Sequence, residues 1–257
     1  MSFESKTAIV TGGLSGMGLA IARRFLQDGT EVFVGARSAV DAEFVQAKLG
    51  ADNGAIKAAV LDVQSRESVD RFVADVVAQR GGVDILVNAA GIYDEAAIVD
   101  HPEDIWMDQI DINLSGTFRM IRAVMPHMKT AGWGRIINIA SMAAHTGMAN
   151  NAAYCASKAG LLGLGRCVSL EGAEHGVTCV SISPTWVETE MLRKFIDADI
   201  AATGQSLEEV RADYAKSNPQ NQLVQPEEVA ELAAYLASDA ARALTMSDFE
   251  VNAGSPW

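Results

Sequence analysis

Residues 6–26 read KTAIVTGGLSGMGLAIARRFL. The apolar residues near its start predict a short buried strand, the glycine-rich centre predicts a tight turn, and the remainder has the apolar spacing of an amphipathic helix. Glycines let a backbone approach a pyrophosphate closely, and the first amides of the following helix point at its negative charge. The stretch therefore predicts the first half of a dinucleotide-binding βαβ unit; the alternative is an ordinary glycine-rich turn.

Strand and helix patterns alternate along most of the chain. The predicted strands are 6–11, 31–36, 55–61, 83–88, 134–140, 177–183 and 247–252, and the predicted helices lie near 16–28, 39–49, 65–80, 103–130, 151–175 and 226–237. This alternation predicts an α/β fold: a single-domain, doubly wound Rossmann fold over residues 1–257, with a seven-stranded, mainly parallel sheet and helices on both faces.

One segment, at about 189–219, breaks this alternation. Residues 189–197 and 206–216 have the pattern of two short amphipathic helices, separated by residues 201–204. A helical insertion on a rigid sheet commonly covers a ligand site, so we expect a substrate-covering flap here. The alternative is a packing extension at a subunit interface.

Composition and charge narrow the class of protein. The chain has 257 residues, of which 49% are hydrophobic, and a net charge of −13. No apolar run reaches the length of about 18 residues that a membrane span needs, and the first residues lack the pattern of a secretory signal, so we expect a cytoplasmic protein. The negative charge disfavours nucleic acid and anionic membranes as partners. The three cysteines have no paired spacing, so we expect reduced thiols and no metal site.

Tyr154 and Lys158 form a second pattern, because they lie one turn apart on the predicted helix 151–175. An ammonium beside a phenol favours the phenolate, so we expect Lys158 to lower the pKa of Tyr154 toward neutrality. Such a tyrosine can exchange a proton with a carbonyl or alcohol oxygen. Ser141, at the end of a predicted strand, can hydrogen-bond the same oxygen. Taken alone, the pair is more typical of a solvated helix face.

These motifs together resemble those of the short-chain dehydrogenase/reductase family. The glycine motif TGxxxGxG is present in full, and the NNAG element appears with Ala89 in place of one Asn. After the sixth predicted strand, the usual Pro-Gly pair appears as Pro184-Thr185. The residues that match the family's motifs are Thr11, Gly12, Gly16, Gly18, Asn88, Ala89, Gly91, Asn113, Ser141, Tyr154 and Lys158.

The resemblance implies an enzyme that interconverts a ketone, or a ketoacyl group, and a secondary alcohol by hydride transfer. It implies that Tyr154 is the general acid and base, and that Ser141 orients the substrate oxygen. It further implies that Lys158 assists Tyr154 and binds the nicotinamide ribose, and that Asn113 holds a relay water. A homotetramer, or a homodimer, is implied as well. The alternatives are an NAD-dependent hydroxy-acid dehydrogenase, similar to 3-hydroxybutyrate dehydrogenases, and a catalytically silent dinucleotide-sensing regulator.

The end of the second predicted strand bears on the choice of cofactor. Ala36 stands where NAD enzymes place an acidic residue, and Arg37 follows it. A guanidinium pairs bidentately with a 2′-phosphate, and Ser38 can add a donor. This pattern predicts NADP(H), with NAD(H) as the alternative. The further cofactor contacts that the resemblance implies are Leu14, Ser15, Met17, Asp62, Val63, Pro184, Val187 and Thr189, beside the motif residues Gly12, Gly16, Gly18, Asn88, Ala89, Gly91, Tyr154 and Lys158.

The substrate pocket is predicted to be mostly apolar. Trp186 can stack on a ring or a hydrocarbon, and Lys194 falls near a lysine that meets the substrate carboxylate in the related 3-hydroxybutyrate dehydrogenases. The alternatives are that His145 is a polar loop residue and Lys194 a solvated helix residue. The predicted lining residues are Tyr93, Met142, His145, Met148, Trp186 and Lys194.

Overall fold

Within residues 5–39, 41–50 and 56–255, which the computed structural model describes, seven strands form one sheet in the order β3-β2-β1-β4-β5-β6-β7. All six strand pairings are parallel, where the sequence predicted a mainly parallel sheet. The strands are β1 (Thr7–Thr11), β2 (Glu31–Ala36), β3 (Ile56–Val60), β4 (Ile85–Asn88), β5 (Gly134–Ile139), β6 (Val177–Pro184) and β7 (Asp248–Val251).

Helices cover both faces of this sheet, as the sequence predicted. They are α1 (Gly16–Gln27), α2 (Ala42–Leu49), α3 (Arg66–Arg80), α4 (Glu103–Ile110), α5 (Thr117–Ala131), α6 (Ala152–Gly172), α7 (Glu190–Thr203), α8 (Leu207–Lys216) and α9 (Pro226–Ala237). Residue 40 of the predicted second helix and residue 55 of the predicted third strand lie outside the described residues, as do residues 1–4 and 256–257.

The two faces of the sheet bury separate apolar clusters, because side chains alternate along each strand. Ala8 and Val10 of β1 pack into one cluster with α1 and α9, and Ile9 packs into the other with α3 and α5. Strands covered on both sides have near-continuous apolar sequences, and β5 is buried along its whole length. Because both of its faces are buried, the sheet is a rigid support for the loops at its edges.

The order of the strands determines where ligands can bind. The chain leaves β1 for β2 on one side and returns to β4 on the other, so the loops after β1 and β4 diverge at the carboxyl edge. Thr11 and Asn88 end these two strands and are paired in register. The crevice expected at such a switch point therefore opens directly above this pair.

The structure departs from the sequence prediction in two helices. The predicted helix 103–130 is interrupted by a π-helical turn at Asp111–Gly116, which separates α4 from α5. The first flap helix, α7, continues through residues 201–203, which the sequence placed in a linker. Leu192 and Ile196 of α7 pack with Val210 of α8 in a small third cluster. None of the helices in the described ranges is long and apolar enough to cross a bilayer.

We expect Phe25→Ala to lower the free energy of unfolding by about 3–5 kcal/mol, because the mutation leaves a cavity between α1 and the sheet. Phe25 is 0% exposed in the cluster that joins α1 to the sheet, whereas Phe44 on α2 is 44% exposed. Phe44→Ala is the matched control, with an expected change of no more than about 1 kcal/mol. Urea denaturation of both variants measures the difference, and equal losses would contradict this assignment of the core.

Candidate active site

Two clefts lie at the carboxyl edge of the sheet. The first, of about 780 Å³, is bordered by the β1–α1 turn, the ends of β2 and β3 and the loop after β4. The second, of about 640 Å³, is bordered by the segments after β4, β5 and β6 and by α7. Ser15 lines the first cleft and Met17 the second, so the glycine turn is a wall that both clefts share.

Most of the predicted cofactor residues lie along these clefts. Those in the first cleft are Gly12, Leu14, Ser15, Arg37, Asp62, Val63 and Gly91; those in the second are Met17, Tyr154, Pro184, Val187 and Thr189. The predicted cofactor residues that line neither cleft are Gly16, Gly18, Ser38, Asn88, Ala89 and Lys158.

The glycine turn brings bare backbone to the first cleft. Gly12 has φ +66°, and a Cβ there would lie 3.1 Å from the backbone of Ala90; a Cβ on Gly18 would collide with the carbonyl oxygen of Gly12. The hydroxyl oxygen of Thr11 accepts hydrogen bonds from the backbone N–H groups of Ala89 and Ala90, at 3.1 and 3.0 Å. Thr11 thus ties the turn after β1 to the loop after β4, a contact that motif matching alone did not predict.

The far end of the first cleft carries Arg37 and Asp62. Arg37 is exposed at the rim, and no described residue forms an ion pair with it. One carboxylate oxygen of Asp62 accepts from the backbone N–H of Gln64 at 3.0 Å, so this side chain shapes the turn after β3. This contact leaves the second carboxylate oxygen of Asp62 available to the cleft.

Asn88 forms part of a polar ladder beneath the clefts. Its amide Nδ2 donates to Oδ1 of Asn138 at 2.9 Å, across the register pair that joins β4 and β5. Within the described residues, the buried Oδ1 of Asn88 has no hydrogen-bond partner. Sequence reasoning missed Asn138, although a single amide in the apolar strand IINIA was a usable signal.

Asn113 occupies the π-helical turn between α4 and α5, and its side chain bonds to the backbone of Ile92 in both directions. Its Oδ1 accepts from the N–H of Ile92 at 2.8 Å, and its Nδ2 donates to the carbonyl oxygen of Ile92 at 2.9 Å. The same Nδ2 lies 3.1 Å from the hydroxyl oxygen of Ser157 on α6. The inserted residue of a π-turn re-aims the side chains beside it, and such turns recur at functional sites. Asn113 therefore positions the loop after β4.

Tyr154 and Lys158 lie together near the second cleft. The Nζ of Lys158 lies 5.6 Å from the centre of the Tyr154 ring and donates to the carbonyl oxygen of Ile139 at 2.8 Å. Ser141 and Tyr154 both line the cleft.

The pKa of Tyr154 differs in direction from the sequence prediction. Burial raises the pKa of Tyr154 to about 12, and a hydrogen bond with Ser141 offsets part of this rise. Burial also lowers the pKa of Lys158 to about 8. The prediction that Lys158 brings the pKa of Tyr154 toward neutrality is wrong for this structure, because loss of water disfavours the phenolate more than any neighbour favours it.

The second cleft is apolar. Of the predicted substrate residues, Tyr93, Met142, Met148 and Trp186 line it. Met191, Leu192 and Phe195 of α7 also line it and were missed. Their apolar spacing along one helix was the signal that could have identified them.

His145 and Lys194 do not line the second cleft, contrary to the sequence prediction. The Nε2 of His145 lies 2.6 Å from Oδ2 of Asp248 on β7, which turns the ring away from the cleft. Lys194 is exposed on α7. It lies two residues beyond Leu192, a rotation of about 200° that places it on the opposite side of the helix.

The chain is similar to known dehydrogenases and reductases. A family model described as short chain dehydrogenase matches residues 6–199. The chain is 36% identical over 255 residues to D-beta-hydroxybutyrate dehydrogenase of Cupriavidus necator, covering 98% of each chain. It is 37% identical over 254 residues to the 3-oxoacyl-(acyl-carrier-protein) reductase FabG of Salmonella typhimurium, covering 99% of this chain and 98% of the relative.

A similar solved structure is a variant of actinorhodin polyketide ketoreductase, determined with NADPH. The TM-score is 0.90 at 36% identity, with 99% of this chain and 98% of that chain covered.

We expect Lys158→Met to raise the free energy of unfolding at pH 7. A pKa lowered from 10.5 to about 8 corresponds to about 3 kcal/mol of unfavourable burial of the ammonium, at about 1.4 kcal/mol per pKa unit. The net gain is smaller, because the carbonyl of Ile139 loses its donor. The burial cost is complete below pH 8 and disappears as the pH rises to about 10.5, since the unfolded chain binds the extra proton in that window.

Denaturant titrations at pH 7, 8.5 and 10 measure this difference. Lys194→Met is the control, because that side chain is exposed and its loss changes stability by about 0.5 kcal/mol or less. A stability gain that does not shrink at high pH would show that the buried charge is not its cause.

Proposed function

The chain belongs to the short-chain dehydrogenase family and is an oxidoreductase; on that premise we propose that it uses NADP(H) to interconvert a ketone and a secondary alcohol. One observation carries the proposal: Ser141 and Tyr154 line one apolar cleft, and the buried Lys158 lies beside the Tyr154 ring.

The residues of the first cleft suit a dinucleotide. The first turn of α1 carries no acidic residue, and the side chain of Ser15 makes no capping hydrogen bond to any described residue. The first amides of α1 are therefore available to a pyrophosphate. Side chains at Gly12 or Gly18 would fill the space that the backbone leaves. This turn would hold the pyrophosphate, and Asp62 would meet the adenine.

The rim of the first cleft favours a 2′-phosphate. Arg37 is exposed there and is not paired with a described carboxylate. Ala36, beside it, brings no negative charge that would repel a phosphate, and the hydroxyl of Ser38 can add a donor. A guanidinium binds a phosphate by two parallel hydrogen bonds, which are stronger than neutral ones. These features support NADP(H) over NAD(H).

The bound nicotinamide would supply the hydride in reduction and accept it in oxidation. Tyr154, with a pKa of about 12, is protonated at neutral pH and can donate its proton to the oxygen of a ketone. The hydroxyl of Ser141 would hydrogen-bond the same oxygen and stabilise its developing charge. In oxidation Tyr154 must first lose its proton, and the ammonium of Lys158 would stabilise the phenolate.

The lining of the second cleft favours an uncharged substrate. No charged side chain lines it in the described part of the chain. A substrate carboxylate would lose water there without gaining a cationic partner, which is costly. This argues against the hydroxy-acid alternative, for which Lys194 was the candidate partner.

We also propose that the protein assembles as a homotetramer or a homodimer. Met107 on α4, Phe118 on α5 and Leu170 on α6 are large apolar residues that the single chain leaves exposed. Burying them between copies would remove apolar surface from water. We further propose that α7 and α8 are the flap over the second cleft, since α7 supplies part of its lining.

We expect Tyr154→Phe to reduce kcat for ketone reduction by about 10²–10⁴-fold, because the general acid is lost. The affinity for NADPH, measured by quenching of its fluorescence, is expected to change little. Tyr235→Phe is the control at an exposed tyrosine, and its kcat is expected to stay the same. Full activity of Tyr154→Phe would refute the assignment of the proton donor. If the wild type turns over none of the ketones and alcohols tested, the result would favour the alternative of a catalytically silent dinucleotide-sensing regulator.

We expect Arg37→Ala to raise the KM for NADPH by about 10- to 100-fold and to leave the KM for NADH nearly unchanged. The loss corresponds to a charge-assisted hydrogen-bond pair worth about 1.5–3 kcal/mol. Steady-state kinetics with both cofactors measures the effect, with Arg242→Ala as the control at an exposed arginine after α9. Equal changes with both cofactors would remove the basis for choosing NADP(H).

A further inference from the structure

Aromatic rings from four different segments meet at the second cleft. Tyr93, from the loop after β4, lies edge-to-face with Tyr154, with ring centres 4.7 Å apart. Tyr93 also lies edge-to-face with Phe195 of α7, at 4.6 Å. Trp186, from the segment after β6, lies 6.3 Å from Phe195. All four rings line the cleft, so its wall is an aromatic surface that begins at the proposed proton donor.

The orientation of Tyr93 is fixed from outside the cleft. Its hydroxyl donates to a carboxylate oxygen of Glu95 at 2.7 Å, and Glu95 does not line the cleft. The backbone N–H of Ala96 donates to the carbonyl oxygen of Asn150 at 2.8 Å, which anchors the same loop to the start of α6. Tyr93 is therefore a preset ring rather than a side chain that must be ordered by the substrate.

The other side chains that line the second cleft also favour contact with aromatic rings. Met17, Met142, Met148 and Met191 line the cleft, and thioethers make favourable contacts with ring edges. Aromatic rings attract one another because a positive edge meets a negative face, a gain that an aliphatic group of equal size does not have. A flat aromatic group in this cleft thus gains attractions beyond those of apolar burial.

We propose that the cleft selects ketones that carry an aromatic ring on the carbonyl carbon, and that Tyr93 and Phe195 determine this specificity. The proposal rests on the function proposed above. Because the Tyr93 ring lies 4.7 Å from that of Tyr154, a carbonyl oxygen bonded to the Tyr154 hydroxyl places its neighbouring substituent against Tyr93. Phe195, in edge-to-face contact with Tyr93, extends the same aromatic wall.

The test compares acetophenone with cyclohexyl methyl ketone, which has the same carbon skeleton and a saturated ring. The ratio of kcat/KM for the two ketones with NADPH is measured in the wild type and in variants, so that their intrinsic reactivities cancel. We expect Tyr93→Leu and Phe195→Leu each to lower the ratio about 10-fold in favour of the saturated ketone. Tyr93→Phe loses the bond to Glu95 but keeps the ring and its packing against Tyr154 and Phe195, so it is expected to keep most of the ratio.

Phe44→Leu is the control for a phenylalanine remote from the cleft, and NADPH binding by fluorescence confirms that each variant is folded. If Tyr93→Leu does not fold, Phe195→Leu gives the same measurement. Unchanged ratios in the leucine variants would overturn the specificity proposal, as would turnover of aliphatic ketones without turnover of acetophenone. In either case, NADPH-dependent turnover of any ketone would leave the proposed function standing. Absence of turnover on all ketones and alcohols would refute both proposals.

Discussion

The buried amide of Asn113 is the contact on which the arrangement of the site depends. It bonds both backbone groups of Ile92, and so fixes the loop that presents Gly91 to the first cleft and Tyr93 to the second. It also bonds the hydroxyl of Ser157, which in turn donates to the carbonyl oxygen of Tyr154. One side chain thus joins the loop after β4 to the helix that carries the proposed proton donor. Breaking any of these hydrogen bonds would leave a buried polar group without a partner, which is costly. The π-turn, the loop after β4 and α6 are therefore held together as one unit.

Burial gives Tyr154 and Lys158 their protonation behaviour. Loss of water favours the neutral form of each group, which raises the pKa of the phenol to about 12 and lowers that of the amine to about 8. A proton leaving Tyr154 would therefore create a phenolate in a partly buried site beside the second cleft, where the neighbouring ammonium interacts with it more strongly than in bulk water. The phenol is therefore protonated at neutral pH, the form that the proposed reduction of a ketone requires. The same burial lowers the free energy of unfolding, because the charged form of Lys158 is removed from water.

The sequence predicts the features that depend on local pattern. Strands such as β5 are recognisable because both faces are covered and the run is apolar, and the glycine turn is recognisable because its geometry excludes side chains. The π-turn at Asp111–Gly116 is not recognisable, since one inserted residue barely alters the helical period of 103–130. The position of Lys194 and the pKa of Tyr154 both depend on tertiary packing. Which face of α7 packs over the cleft decides the position of Lys194, and the burial of the phenol decides the pKa of Tyr154.

The net charge of −13 opposes the binding of an anionic cofactor. At physiological ionic strength, exposed charges are screened beyond about 8 Å, so most surface carboxylates have little effect at the first cleft. What remains are the groups that line the cleft: the amides of the α1 turn, the guanidinium of Arg37 and the carboxylate of Asp62, which would meet the adenine rather than a phosphate. A nearby acidic side chain at residue 36 would oppose a phosphate more than the whole remote surface does. The local absence of that acid therefore matters more to the proposed cofactor than the overall charge of the chain.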